Sequence, residues 1–179
     1  MSAILPPAER LWWKHPLDRV EGTWIVIAFV WCMILFFMMV FWHIYGRQTL
    51  STETYTTTPE AYMAKAEAWA AQYTVRTDEV SGQPIVAPPD GGDAYIISRL
   101  WSFWPILELE KGKTYRLHLS SLDYNHGFSL QPVNINIQVV PGYEHVVTVT
   151  PNQSGTYSIV CNEFCGIGHH TMVGRLYVK

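Results

Sequence analysis

Cys161-Asn162-Glu163-Phe164-Cys165-Gly166-Ile167-Gly168-His169-His170-Thr171-Met172 brings two thiols, imidazole and a thioether into twelve residues. These are soft and intermediate donors, which suit copper better than the hard oxygen ligands of other cations do. Two cysteines four apart could instead close a disulfide in an oxidising compartment, and a glycine-rich turn often carries nothing. A disulfide gives no purpose to His169, four residues after Cys165, or to Met172, three further on. The stretch therefore reads as a copper loop.

The number of thiolates narrows the kind of site. A mononuclear blue copper centre takes two His, one Cys and a weak axial Met, so the second Cys is one too many. A structural zinc site wants Cys or His in all four places and leaves Met172 unexplained. Two thiolates can instead bridge two ions, each of which needs its own imidazole and a weaker ligand. One imidazole is His169. The other must come from elsewhere, and the candidate is His126, in the polar turn Leu122-Asp123-Tyr124-Asn125-His126-Gly127-Phe128 that follows a strand pattern over Thr114 to Leu119. In a Greek-key sandwich the end of one strand can lie beside the loop joining two later ones, so the separation in sequence is no obstacle.

Together these positions resemble the dinuclear CuA site of the cytochrome c oxidase subunit II family. The resemblance implies a metal ligand set of His126, Cys161, Glu163 through its backbone carbonyl, Cys165, His169 and Met172. Both Cys would bridge two copper ions. His170 is the rival to His169, but the family spacing of three residues after the second Cys and two before the Met selects His169. Asn134-Ile135-Asn136-Ile137 and then Pro141-Gly142 are similar to the single-helix, B-type branch. Glu163 departs from that branch, which often has Gln there. Relatives with Glu also use its side chain at a magnesium ion on the catalytic-subunit interface, so the resemblance extends to possible Mg binding through Glu163.

The chain has 179 residues, 49% of them hydrophobic, and a formal charge of −3, which suffices for one membrane anchor and one compact domain. Trp24 to Tyr45 contains no Asp, Glu, Lys or Arg and spans about 33 Å as a helix, enough to cross a bilayer once. It is longer than a usual signal core, and no small-residue cleavage pattern follows it. Arg10, Lys14 and Arg19 precede the run, against Arg47 alone close behind it, so the N-terminus is expected in the cytoplasm and the copper domain outside. Trp12, Trp13 and Trp24 on one flank and Trp42 and Tyr45 on the other suit interfacial belts. Ala28 and Cys32 give a shallow groove for a neighbouring helix, with Cys32 a packing residue.

The expected division is 1–23 N-terminal segment, 24–45 transmembrane helix, 46–93 linker with a short helix and 94–179 copper domain. In the linker, the Ser/Thr-rich Gln48 to Thr58 reads as a solvated tether. Thr58-Pro59-Glu60 reads as the start of a helix to about Tyr73, with Ala61, Ala64, Ala68 and Trp69 on its apolar side, and Val80 to Asp93 reads as a loop. Beyond it the period changes to two. Tyr115, Leu117 and Leu119 alternate with Arg116, His118 and Ser120, and Val133, Ile135, Ile137 and Val139 with polar residues. Further strands are expected at 94–101, 106–109, 145–150, 156–160 and 173–178, with His118 on a solvated face. About seven short strands argue for an antiparallel all-β Greek-key sandwich, and with the copper loop they resemble a cupredoxin.

Two ions bridged by thiolates have no open position for a substrate. The resemblance accordingly implies an electron-input subunit of a terminal respiratory oxidase, part of an enzyme whose oxygen chemistry lies in a partner chain. It would take electrons from cytochrome c or another small donor and pass them to haem in catalytic subunit I. The rival readings are the CuA subunit of a nitric oxide reductase and a membrane-tethered copper-delivery protein. Arg99 to Pro105 is an aromatic cluster that is either core or, through Trp101 or Trp104, part of the electron-input surface. From Gly46 onward there are twelve acids and nine Lys or Arg, an excess of three acids, which weakly favours a basic donor.

Overall fold

The computed structural model describes residues 16–46 and 53–179. Arg10, Lys14, Arg47, Trp12, Trp13 and the first part of the expected tether lie outside them. Contacts divide the chain into units 1–47 and 48–179.

In the first unit, α1 runs Arg19–Tyr45 and is long and apolar enough to cross a membrane. It starts five residues before Trp24 because Asp18 and Glu21 form a reciprocal capping box: the Glu21 amide donates to Asp18 at 2.7 Å and the Asp18 amide to Glu21 at 3.2 Å. No residue of α1 is buried within the unit, and the Cys32 thiol is free and exposed.

The second unit is a sandwich of two sheets. One, five-stranded, has the order β1 (Glu53–Thr56), β10 (Tyr143–Val149), β7 (Tyr115–Ser121), β4 (Asp93–Arg99), β5 (Ser102–Trp104). The other, seven-stranded, has the order β2 (Thr74–Thr77), β3 (Pro84–Val86), β6 (Ile106–Leu109), β12 (Val173–Val178), β11 (Gly155–Val160), β8 (His126–Gln131), β9 (Ile135–Val139). The inner faces meet through Leu107, Leu117, Leu119, Phe128, Leu130 and Ile159, all fully or almost fully buried. The sheets are mixed, not purely antiparallel: β4 runs parallel to β7, β6 to β12 and β3 to β6.

Three local expectations are corrected. The stretch expected as a linker with a short helix supplies, besides that helix, α2 (Pro59–Tyr73), the strands β1, β2 and β3; Glu53 to Thr56 in the expected tether pairs with β10, and Pro84 to Val86 in the expected loop is a strand. Helix α2 starts as expected, capped by the Thr58 hydroxyl with Pro59 in its first turn, and Trp69 packs against the core as expected, but the buried residues are Tyr62, Ala66 and Ala70, while Ala61, Ala64 and Ala68 are exposed. His118 is only 4% exposed. Alternation along β7 correctly separates its two faces, but α2 packs over the outer one. There His118 Nδ1 lies 2.5 Å from Glu144, its ring stacks on Tyr95, and the Tyr62 hydroxyl donates to the His118 carbonyl at 2.7 Å. Lys65 of α2 reaches Glu144 at 3.1 Å, so the buried carboxylate beside His118 is met by a cation as the outer layer closes.

Candidate metal centre

Strand register assembles the site. Ser129 of β8 pairs with Val160 of β11, and Val160 pairs in turn with Val173 of β12. Continuing the first ladder puts His126 and Gly127 beside the backbone of Asn162 and Glu163. Continuing the second puts Cys161 opposite Met172, where the Cys161 amide donates to the Met172 carbonyl at 3.1 Å. Gly127 is required at this crossing, since a Cβ on it would lie 2.8 Å from the amide nitrogens of both Asn162 and Glu163. Asn162 then fastens the loop sideways by donating to Asn136 of β9 at 2.9 Å.

Within this frame the six residues singled out in the sequence come together around the two sulfurs, with His126, Cys161 and Cys165 offering ligand atoms within 4.8 Å of one another. Cys161 Sγ lies 3.9 Å from His126 Nδ1 and 3.2 Å from the Glu163 carbonyl oxygen. Cys165 Sγ lies 3.7 Å from His169 Nδ1 and 3.8 Å from Met172 Sδ. The two sulfurs are 3.8 Å apart and both thiols are free, against about 2.05 Å for a disulfide. A short 3-10 helix, His169–Thr171, turns His169 toward Cys165, while His170 is exposed. His126 is fully buried, and Cys161, Cys165 and Met172 are all less than 7% exposed. Burial, and then the neighbouring Cys161 thiol, push the Cys165 thiol up to about 11, so a metal arriving at neutral pH must displace its proton.

Sequence reasoning missed one residue in contact with the site. Asp123 Oδ1 accepts from His126 Nε2 at 2.7 Å and from the Tyr124 amide at 2.7 Å, and Oδ2 accepts from the Leu100 amide at 2.7 Å. Burial opposes ionisation here, but these donors outweigh it and hold the Asp123 carboxyl below its usual range. The signal was present as a carboxylate three residues before the isolated histidine. Leu100 and Trp101 form the turn between β4 and β5, and the Trp101 indole lies so close to Gly168 that a Cβ there would come within 2.3 Å of the ring. Trp101 is 42% exposed, whereas Trp104 packs against the buried clusters.

Leu100, Trp101, Tyr124, Phe164 and Ile167 border a cleft of about 690 Å³ beside Cys165, and Phe164 and Ile167 are 80% and 90% exposed. Among the comparisons with known proteins, residues 100–176 match the family described as cytochrome c oxidase subunit II, periplasmic domain. Cytochrome c oxidase subunit 2 of Thermus thermophilus is 30% identical over 136 residues, 73% of this chain and 98% of the relative. The chain belongs to the cytochrome c oxidase subunit II family. A probable subunit 2 from Streptomyces coelicolor is 42% identical over 74 residues, covering 41% of this chain and 23% of that one. Among solved structures, a chain of a heme-copper terminal oxidase dimer aligns over 90% of this chain and 100% of its own length, with TM-score 0.55 and 22% identity. The copper protein rusticyanin aligns over 73% of this chain and 100% of its own, with TM-score 0.50 and 17% identity. These two likenesses establish the cupredoxin-like fold. The relatives matched are subunits of cytochrome c oxidase, an enzyme complex.

Proposed function

We propose that this subunit II is the electron-input chain of a terminal respiratory oxidase and holds a dinuclear copper centre. The observation that carries the reading is the convergence of two imidazoles, a thioether and a backbone carbonyl on a pair of unbonded thiols 3.8 Å apart. His126, Cys161, the Glu163 carbonyl, Cys165, His169 and Met172 would together hold two ions, with one imidazole and one weaker donor available to each. Such a pair supplies a one-electron carrier with no vacant position for substrate.

The protein's own contribution is rigidity and exclusion of water. The thiols and Met172 are fixed between two paired strands, and His126 is sealed by β8, β9 and the loop. That burial argues against a delivery role, which requires donors that exchange readily. Electrons would reach the centre from cytochrome c or a similar small donor across the apolar rim formed by Trp101, Tyr124, Phe164 and Ile167, and leave for haem in catalytic subunit I. The charged residues of this unit largely pair among themselves, as in Lys113 with Asp90 and Arg116 with Glu53 and Asp93, so the rim favours apolar docking over charge steering. Glu163 is exposed, leaving its carboxylate available to a magnesium ion completed by the catalytic chain. Helix α1 would anchor the chain by a single pass with its N-terminus in the cytoplasm and the copper unit on the outer side.

Copper titration of the full chain in detergent tests the centre. The expected result is two ions per chain and a visible spectrum lost in both Cys161→Ser and Cys165→Ser. A stoichiometry of one, with the two cysteines joined as a disulfide in the isolated protein, overturns it.

A further inference from the structure

We propose that Asp123 is the positioning residue that ties the ligand imidazole of His126 to the turn carrying Trp101, so that one carboxylate sets both the metal ligand and the exposed aromatic. The inference rests on the copper reading above. His126 presents Nδ1 toward Cys161 and Nε2 toward Asp123. Nδ1 can offer a lone pair to a metal only while the proton sits on Nε2, and a carboxylate at 2.7 Å from Nε2 accepts that proton's hydrogen bond and selects the tautomer.

The same carboxylate reaches in the opposite direction. Its second oxygen accepts the Leu100 amide, fixing the β4–β5 turn from which Trp101 lies across Gly166 and Gly168 of the ligand loop. Gly168 immediately precedes His169. A continuous chain of contacts thus runs from His126 through Asp123, Leu100 and Trp101 to the segment bearing the other imidazole. The arrangement needs an acceptor on both sides. Asn offers one carbonyl oxygen and an NH2 group, which would face either the Nε2 proton or the Leu100 amide proton, so one of the two ties must fail. Ser121 supplies the control: its hydroxyl donates to the Tyr124 carbonyl at 2.5 Å and more weakly to Asp123 Oδ1 at 3.4 Å, and accepts the Asp123 amide at 3.3 Å, bracing the same turn while Asp123 itself keeps both the His126 and the Leu100 ties.

The experiment compares native chain, Asp123→Asn and Ser121→Ala, each full-length in detergent. Amide hydrogen exchange over residues 99–104 is measured without copper, and copper affinity by competition titration with the absorption spectrum recorded. In Asp123→Asn the loss of a charge-assisted bond speeds exchange at Leu100 by about 10–100-fold, unless the His126 tie is the one that fails. Loss of the imidazole's partner weakens copper binding by about 10–100-fold with a changed spectrum. At least one of these two changes is expected, and Ser121→Ala stays near native in both. Native-like exchange and affinity in Asp123→Asn, or the same changes in Ser121→Ala, overturn the proposal. A measurement without any substitution stands beside these: 15N shifts of the copper-free native chain should place the His126 proton on Nε2, and a proton on Nδ1 refutes the tie. If the native chain takes up no copper, the proposed function falls, while the exchange and tautomer results still decide the role of Asp123.

Discussion

Gly127→Ala isolates the contact on which the metal loop rests. Gly127 lies in β8 with a backbone conformation open to any residue, so alanine should by itself stabilise the chain by about 0.4–1 kcal/mol through the unfolded state. The structure predicts the opposite sign. The new Cβ would sit 1.9 Å from the Asn162 side-chain oxygen, which can rotate away, but also 2.8 Å from two backbone nitrogens, which cannot. Relief requires the 162–163 backbone to withdraw from β8 by several tenths of an ångström, breaking the fit of a close-packed region at about 1–3 kcal/mol. With the helpful term subtracted, a net loss of about 0–2.6 kcal/mol remains, with a central value of about 1.3, or roughly 4–6 °C in Tm at that centre for a unit of this size. The withdrawal also carries the Glu163 carbonyl away from Cys161. Thermal unfolding of the copper-free full chain, followed by copper titration, reads both effects. A Tm equal to or above native, with unchanged copper affinity, would refute the reasoning that this close crossing holds the loop.

Two further outcomes follow from other parts of the unit. Gly168→Ala pushes the indole of Trp101 off the loop; because Trp101 can swing into solvent, stability changes little, copper content stays at the native value, and loss of the aromatic anchor slows electron uptake from the donor by about 30-fold, the equivalent of about 2 kcal/mol at a docking face. Stopped-flow reduction measures this, and an unchanged second-order rate removes Trp101 from the docking surface. Burial alone would raise the carboxyl of Glu108, but ion pairs with Arg76 and Lys179 outweigh it and hold the group below its usual range. The unfolded chain therefore binds the proton more tightly than the folded one, so this contribution is complete above the ordinary carboxylate range and lost as pH falls through the lower folded value. Melting temperature should drop on acidification below about pH 4.5, and Glu108→Gln should be less stable at pH 7 with a shallower acid limb; an identical limb would show that Glu108 carries none of it.

The ligand loop was legible in the sequence because its donors lie within one short stretch, where spacing alone brings them near each other. His126 was legible by elimination, since a second imidazole was needed and a turn after a strand could provide it. Strand β8 was hidden by that same turn: His126, Gly127 and Ser129 interrupt the apolar pattern because they serve the loop and the neighbouring strand. Alternation in β7 separated inner from outer residues but carries no information about what covers the outer face, so His118 read as solvated. The short strands β1 to β3 have too few residues to express a period, and β1 and β3 find partners, β10 and β6, far along the chain. Asp123 was visible as a residue but silent as a tie, because the Leu100 amide it accepts is brought to it by the parallel pairing of β4 with β7.

The position of β12 in the fold governs when the two cysteines become safe. This strand follows every other described strand in the chain, yet it sits in the interior of its sheet, between β6 and β11, and it holds Met172 opposite Cys161. During synthesis, β1 to β11 therefore emerge before the pocket can close. Cys161 and Cys165 emerge between β11 and β12, so only the few residues that complete the sheet separate their exposure from their burial. Free sulfurs 3.8 Å apart in an oxidising compartment are prone to join. A chain that delivers them late keeps short the interval in which an oxidant can reach them ahead of the metal.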